Sequence, residues 1–181
     1  MDLENKKIAV IWGGPSTEAE ISAKTAEAVY NSLQNSGLNP IKIEFSSRIY
    51  SDLERNEIDL VYNAMHGCYG EDGCLQGLCE IMRIPYTHSG VKSSAIAMSK
   101  PLTKEILKNY KIQLPSSKIL SGGELQNHQL KTLCVIKPVE EGSSIGVQII
   151  NSENDFDKDA IKNADYYMIE EMIKGRELTV A

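Results

Sequence analysis

The run Lys7-Ile-Ala-Val-Ile-Trp12 is apolar residue after residue once its lysine is passed, and it ends in Gly13-Gly14-Pro15. A strand wetted on one side alternates apolar and polar residues. A continuous run closed by a turn therefore describes a strand covered on both faces, as in the middle of a parallel sheet. The next segment reads as a helix, with Ile21, Thr25, Val29 and Leu33 four residues apart and Gly37 closing it. Residues 40–45 and 59–64 read as strands, and Leu75, Leu78, Cys79 and Met82 mark a further helix. This alternation predicts an open parallel α/β sheet, Rossmann-like in its winding. Ligands of such a sheet bind beyond the carboxyl ends of its strands, where Gly13-Gly14 and His66-Gly67 both fall.

From Ser89 to Lys100 the residues become small and polar, and Pro101–Tyr110 then reads as a helix with proline in its first turn. A domain boundary is expected near residue 95, separating an N-terminal domain (1–95) from a second domain (96–181). The second domain reads as strands at 116–120, 133–137 and 147–150, a helix over about 153–164, and strands at 166–171 and 177–180. Several of these are antiparallel candidates, giving an α+β character. The last β pattern, Glu177 to Ala181, stops without a polar tail, so a fragment of a longer protein is expected.

The net charge of -6 and the absence of any Lys/Arg cluster argue against a nucleic-acid partner. The apolar run at 6–12 is too short for a membrane span and lacks the features of an export signal, so a cytoplasmic location with no membrane partner is expected. Cys68, Cys74, Cys79 and Cys134 contain no C-x-x-C pair. They read as reduced thiols rather than zinc ligands, and no metal site is assigned within the chain.

Gly142-Ser143-Ser144-Ile145-Gly146 matches the G-x-S-x-G of hydrolase nucleophile loops. That loop needs a helix after the serine and a histidine later in the chain, whereas a strand follows here and His66, His88 and His128 all precede Ser144. The alternatives are a plain hairpin turn or a hairpin tip whose N–H groups and hydroxyls cover an anion, with Lys137 as the cation beneath. In the first loop Thr17 and Glu20 have capping-box spacing. Glu18 either complements the helix dipole or grips a substrate ammonium. In His66-Gly67-Cys-Tyr-Gly70-Glu71-Asp72-Gly73 the closely spaced glycines suggest backbone against a ligand, with His66 as a donor, and Glu71-Asp72 read as caps for the next helix. The Ile169–Glu177 linker offers an apolar slot for an adenine and a carboxylate for a ribose, or else is a solvated turn.

Six ordered blocks, IAVIWGGPSTEAEIS, HGCYGEDGCLQG, IPYTHSGV, AMSKPLTK, IKPVEEGSSIGV and IEEMIKGRELTV, span residues 7–180. Together they resemble the D-alanine:D-alanine ligases of the ATP-grasp superfamily. The resemblance implies a pre-ATP-grasp α/β domain followed by part of an ATP-grasp unit, in a homodimeric enzyme of peptidoglycan precursor synthesis. It implies ATP as phosphoryl donor, Mg2+ with ligands beyond residue 181, and D-alanine as substrate. Glu18 and Ser143 would be catalytic, Glu18 holding the ammonium of the first D-alanine and Ser143 linking it to a mobile loop. His66 would sit near that substrate's carboxyl group, Lys100 and Lys137 on the ATP phosphates, and Ser144 with its backbone on the same phosphates. Glu170, Glu171 and Ile173 would frame the adenine, and Glu177 would bind the ribose.

Two positions depart from the family pattern: Ala19 stands where an arginine is common, and His88 replaces the first glycine of the YTGSGV loop. The metal ligands, phosphoryl-stabilising arginine and lid tyrosine of the family have no counterpart in residues 1–181, so these residues alone are expected not to turn over. Other readings are a ligase joining D-alanine to D-lactate and a non-catalytic nucleotide-binding module.

Overall fold

The structure is a computed structural model that describes residues 3–130, 133–139, 142, 144–162 and 165–178, the side chain of Glu153 excepted. The chain divides into two compact units, residues 1–98 and 99–181. Among the described residues no helix is long and apolar enough to cross a membrane.

The first unit runs β1 (Lys7–Gly13), α1 (Ala19–Asn35), β2 (Asn39–Phe45), α2 (Ile49–Arg55), β3 (Leu60–Asn63), α3 (Cys74–Met82) and α4 (Val91–Met98). The sheet order is β2-β1-β3 with both pairings parallel, so the apolar opening run is the central strand as its pattern requires. Ile8, Ala9, Val10 and Ile11 are at most 1% exposed. Each Ile or Val so covered contributes roughly 1.5–3 kcal/mol of burial. Val10 packs with Ala26, Val29 and Leu33 of α1 on one side, while Ala9 and Ile11 pack with α2 and α3 through Ile49, Leu53, Leu75 and Cys79 on the other. The chain leaves β1 to one side to form β2 and returns to the other side to form β3. A crevice therefore opens between the carboxyl ends of β1 and β3, where two successive loops diverge.

Several local expectations are corrected. The covered line of α1 is Ser22, Ala26, Val29 and Leu33, and Ile21 is 51% exposed. A strict four-residue step advances about 400° on a helix of 3.6 residues per turn, so the Ile21–Thr25 start lay one position off the buried stripe. The Thr17/Glu20 capping box does not form: the N-cap is Glu18, without a side-chain cap bond, and the Ser16 hydroxyl instead accepts from the Glu18 amide at 3.1 Å. Helix α2 was missed although Ile49 and Leu53, four apart, are its buried pair. The small-residue stretch read as a change of texture is largely α4, where the buried Ser94 hydroxyl donates to the Ser89 carbonyl at 3.2 Å.

The second unit runs α5 (Lys100–Lys108), β4 (Ser117–Ser121), α6 (Gly122–Gln126), β5 (Cys134–Pro138), β6 (Gln148–Ile150) and β7 (Tyr166–Glu171). Its sheet order is β4-β7-β5-β6, antiparallel at every pairing. Leu120, Leu125, Cys134, Ile136, Ile150, Ile161 and Tyr167 form its core. Ser121 and Glu124 close a reciprocal capping box on α6, a signal that S-x-x-E carried in the sequence. The helix expected over 153–164 is only a 3-10 turn at Glu153–Asp155; residues 163 and 164 lie outside the described residues. In this Asn/Asp/Ser-rich stretch side chains serve the backbone locally. Asp155 accepts from the amides of Asn151 and Ser152 at 2.8 Å each, and Asp157 from those of Asp159 and Ala160. Such bonds compete with the helical ladder. Glu177 and Leu178 are not in a strand, and the rest of the strand expected at 177–180 lies outside the described residues.

Candidate functional site

The crevice of the first unit is furnished by two loops. After β1 the chain turns so that the Gly13 amide donates to the buried Ser22 hydroxyl at 2.8 Å, which fixes the loop against α1. Glu18 then sits at the head of the helix with only 6% exposure. After β3 the chain passes through His66 to Gly67, whose φ of +68° is in the left-handed region. A Cβ there would lie 2.7 Å from the Ser16 hydroxyl oxygen and 3.2 Å from Glu18 Oε2. The two loops thus meet at Glu18, with glycine backbone against its carboxylate.

His66 is oriented by α1. Thr25 Oγ1 donates to the Ile21 carbonyl at 3.1 Å and lies 3.3 Å from His66 Nε2. A hydroxyl has one proton to give, so in this arrangement Thr25 accepts and His66 carries its proton on Nε2. His66 Nδ1 faces Glu71 Oε1 at 4.0 Å. The paired acids divide their labour. Asp72 accepts from the amides of Cys74 and Tyr69 at 2.9 and 2.8 Å, from the position before the N-cap of α3, which is Gly73 and not Asp72 itself. Burial raises the Asp72 carboxyl, but these backbone donors outweigh it and hold it below the usual range. Glu71 is not a cap: it accepts from the Gly67 amide at 2.7 Å and braces the turn. A buried carboxylate with a histidine in the adjoining loop suits a zwitterion, with an ammonium on the acid and a carboxyl group toward the imidazole.

In the second unit β5 and β6 form the expected hairpin. Ser144 lies in its connecting loop at φ +60° and is followed by a strand, not a helix, which removes the hydrolase reading on structural grounds as well. Ser143 lies outside the described residues. The loop closes through Gly146, at φ +69°, where a Cβ would come within 2.9 Å of Pro138 Cγ. Gly146→Ala is expected to cost about 1–2 kcal/mol from the left-handed backbone and more if Pro138 cannot shift. The thermal unfolding midpoint should fall by several degrees. Gly175→Ala, with nothing within 4 Å of the new carbon, is the control that should leave it unchanged.

Beneath this hairpin the charged residues converge. Lys137 on β5 and Lys104 on α5 both pair with the buried Glu170 of β7, one on each carboxylate oxygen. Burial raises the Glu170 carboxyl, but hydrogen bonds and charge from the two lysines outweigh it, so it titrates below the usual range. Lys100, the first residue of α5, donates to the Val139 carbonyl at 3.3 Å, beside the start of the hairpin loop. A recess of about 580 Å³ opens by the end of β7, with Ser116, Leu130, Leu133, Ile169, Glu170 and Glu171 in its lining; Lys137, Ile173 and Glu177 do not border it. The Glu171 amide is engaged by the Ser116 carbonyl at 3.0 Å. Ile173 and Glu177 are exposed beyond β7. Among the described residues no group of three or more His, Cys, Asp or Glu converges to hold a metal.

Sequence reasoning missed two residues here. Thr25 lies two turns along α1 from Glu18, and Lys104 one turn along α5 from Lys100, each a helical spacing that puts it on the same face as the residue already singled out.

The D-ala D-ala ligase N-terminus model matches residues 46–89 and the D-ala D-ala ligase C-terminus model matches residues 111–181. The D-alanine–D-alanine ligase B of Mesorhizobium japonicum is 38% identical over 99% of this chain and 60% of its own length. The D-alanine–D-alanine ligase of Rickettsia bellii is 42% identical over 99% of this chain and 57% of its own. The chain thus spans less than two thirds of these curated relatives. Among solved structures, a D-alanine–D-alanine ligase from Bacillus anthracis superposes with a TM-score of 0.78 at 31% identity, covering 94% of this chain and 58% of that one. A D-alanine–D-alanine ligase from Bacillus anthracis complexed with ATP gives 0.76 at 28% identity, covering 94% of this chain and 60% of that one. Two family models that together take in most of the chain, relatives matched along nearly all of it, and a shared backbone lead to one assignment: the chain belongs to the D-alanine:D-alanine ligase family.

Proposed function

We propose that the full-length protein joins two D-alanines at the expense of ATP, giving D-alanyl-D-alanine for cell-wall precursor synthesis in the cytoplasm. The observation that carries this reading is the buried Glu18 carboxylate set against the Gly67 turn beside His66. Glu18 binds the ammonium of the first D-alanine, and His66, held in place by Thr25, sits near its carboxyl group. That carboxylate attacks the γ-phosphate of ATP, forming an acyl phosphate and releasing ADP. The amine of the second D-alanine, after losing a proton, adds to the acyl carbon, and the tetrahedral adduct expels phosphate. Positioning and neutralisation of the developing charge supply most of the rate.

In this proposal Lys100, Lys137 and the Ser144 backbone take the phosphates of ATP, Glu170, Glu171 and Ile173 the adenine, and Glu177 the ribose. The convergence of Lys100 and Lys137 on the β5–β6 hairpin supports the phosphate assignment. Because the Glu171 amide is engaged within the sheet, that residue would serve the base through another backbone group. In the same proposal Mg2+ takes its ligands from outside residues 1–181, as the resemblance implies. The homodimer implied by the resemblance belongs to the same proposal and is tested by sedimentation of the full-length protein.

The activity test is direct. Full-length protein given D-alanine, ATP and Mg2+ should release one phosphate per dipeptide formed. Failure to release phosphate would sink the proposal, and a product formed only with D-lactate as acceptor would move it to the depsipeptide-forming ligases.

A further inference from the structure

Glu170 is a single buried carboxylate holding two ammonium groups, and the two are not equivalent. The Lys104 side chain is 14% exposed, against 26% for Lys137. Lys104 is also anchored by a 2.7 Å bond to the Pro115 carbonyl, which ties it to the segment entering β4. Lys137 projects from the strand that runs directly into the hairpin loop. One partner is thus fixed by two protein contacts, to Glu170 and to the Pro115 carbonyl, while the other is more accessible and better placed to turn to a ligand.

We infer that Lys104 is a positioning residue: it stays with Glu170 and balances its charge, so that Lys137 can leave that carboxylate for the phosphates of ATP. This rests on the reading of Lys137 as a phosphate ligand given above. A buried carboxylate stripped of its only cation is strongly unfavourable. Were Lys137 the sole partner, every ATP bound through it would strand Glu170, and that cost would appear as lost affinity. With Lys104 present, Glu170 keeps one ion pair throughout and remains in place at the end of β7.

The test is a double-substitution cycle on the full-length protein, with the dissociation constant of a non-hydrolysable ATP analogue measured by calorimetry in the presence of Mg2+. Lys104→Met should raise that constant about tenfold or more, the scale of one charge-assisted contact. The same change made in a Glu170→Gln background should alter it by less than about twofold, because no charge is then left to strand. Lys104→Arg should retain most of the affinity. Affinity for D-alanine, measured on the same samples, should stay unchanged and reports that the variants are folded. Lys104→Gln, which keeps an N–H for the Pro115 carbonyl, takes the place of Lys104→Met if the latter does not fold.

A loss of equal size in both backgrounds, or no loss in either while Lys137→Ala weakens the analogue, would overturn the role of Lys104. If Lys137→Ala also leaves the analogue's affinity intact, the assignment of Lys137 to phosphate fails first, and the inference falls with it.

Discussion

Replacing Glu18 by glutamine in the full-length protein is expected to lower kcat/KM for D-alanine by about two orders of magnitude, the scale of one buried charge-assisted hydrogen bond. Glutamine has nearly the same shape, so the packing around a side chain with 6% exposure is kept and the loss reports charge. An ammonium that leaves water for this crevice needs the negative charge that glutamine lacks, and the substituted amide would point either an oxygen dipole or an N–H at it. Affinity for ATP, served by the second unit in the proposed division of roles, should remain within about threefold of the parent. Separate titrations of the two substrates decide the matter. Weakened ATP with normal D-alanine use would show that the two sites have been exchanged.

The first unit was legible where burial is two-sided. The opening strand could be placed because no alternation interrupts Ile8 to Ile11, and it is indeed flanked by parallel neighbours on both edges. Periodicity served α1 less well, since a spacing of four drifts off a 3.6-residue helix and put the stripe on Ile21 rather than Ser22. Residues 153–162 failed for a different reason. Their composition allows a helix, but Asp155 and Asp157 satisfy nearby amides first, and that competition is settled by local geometry that spacing does not encode.

The candidate sites divide along a similar line. Glu18 and His66 stand in loops directly after strands, and in an α/β sheet that position alone marks them. The Glu170 cluster depends on strand register. Val135 lies opposite Glu170 and Lys137 opposite Met168 on the antiparallel neighbour, so Lys137 reaches Glu170 only along the diagonal. Lys104 joins them from a helix some 66 residues earlier, a meeting that no local pattern announces. Its charge could be seen in the sequence; its partner could not.

Gly67→Ala is expected to damage both stability and substrate use. An alanine held at φ +68° costs about 1–2 kcal/mol in backbone strain. Its methyl would arrive 2.7 Å from the Ser16 hydroxyl oxygen, so something must shift, adding about 1–3 kcal/mol. Thermal unfolding should register the sum. The Ser16→Ala, Gly67→Ala double variant should recover part of the steric share while the backbone share persists. Function should suffer beyond this, because the methyl would also press within 3.2 Å of Glu18 Oε2 and push aside the carboxylate that the ammonium needs. At a temperature where the variant is fully folded, KM for D-alanine should therefore still be raised at least tenfold, about 1.4 kcal/mol of lost binding. If the folded variant uses D-alanine normally, the Gly67 turn is scaffold alone, and the ammonium must be held away from the meeting point of these two loops.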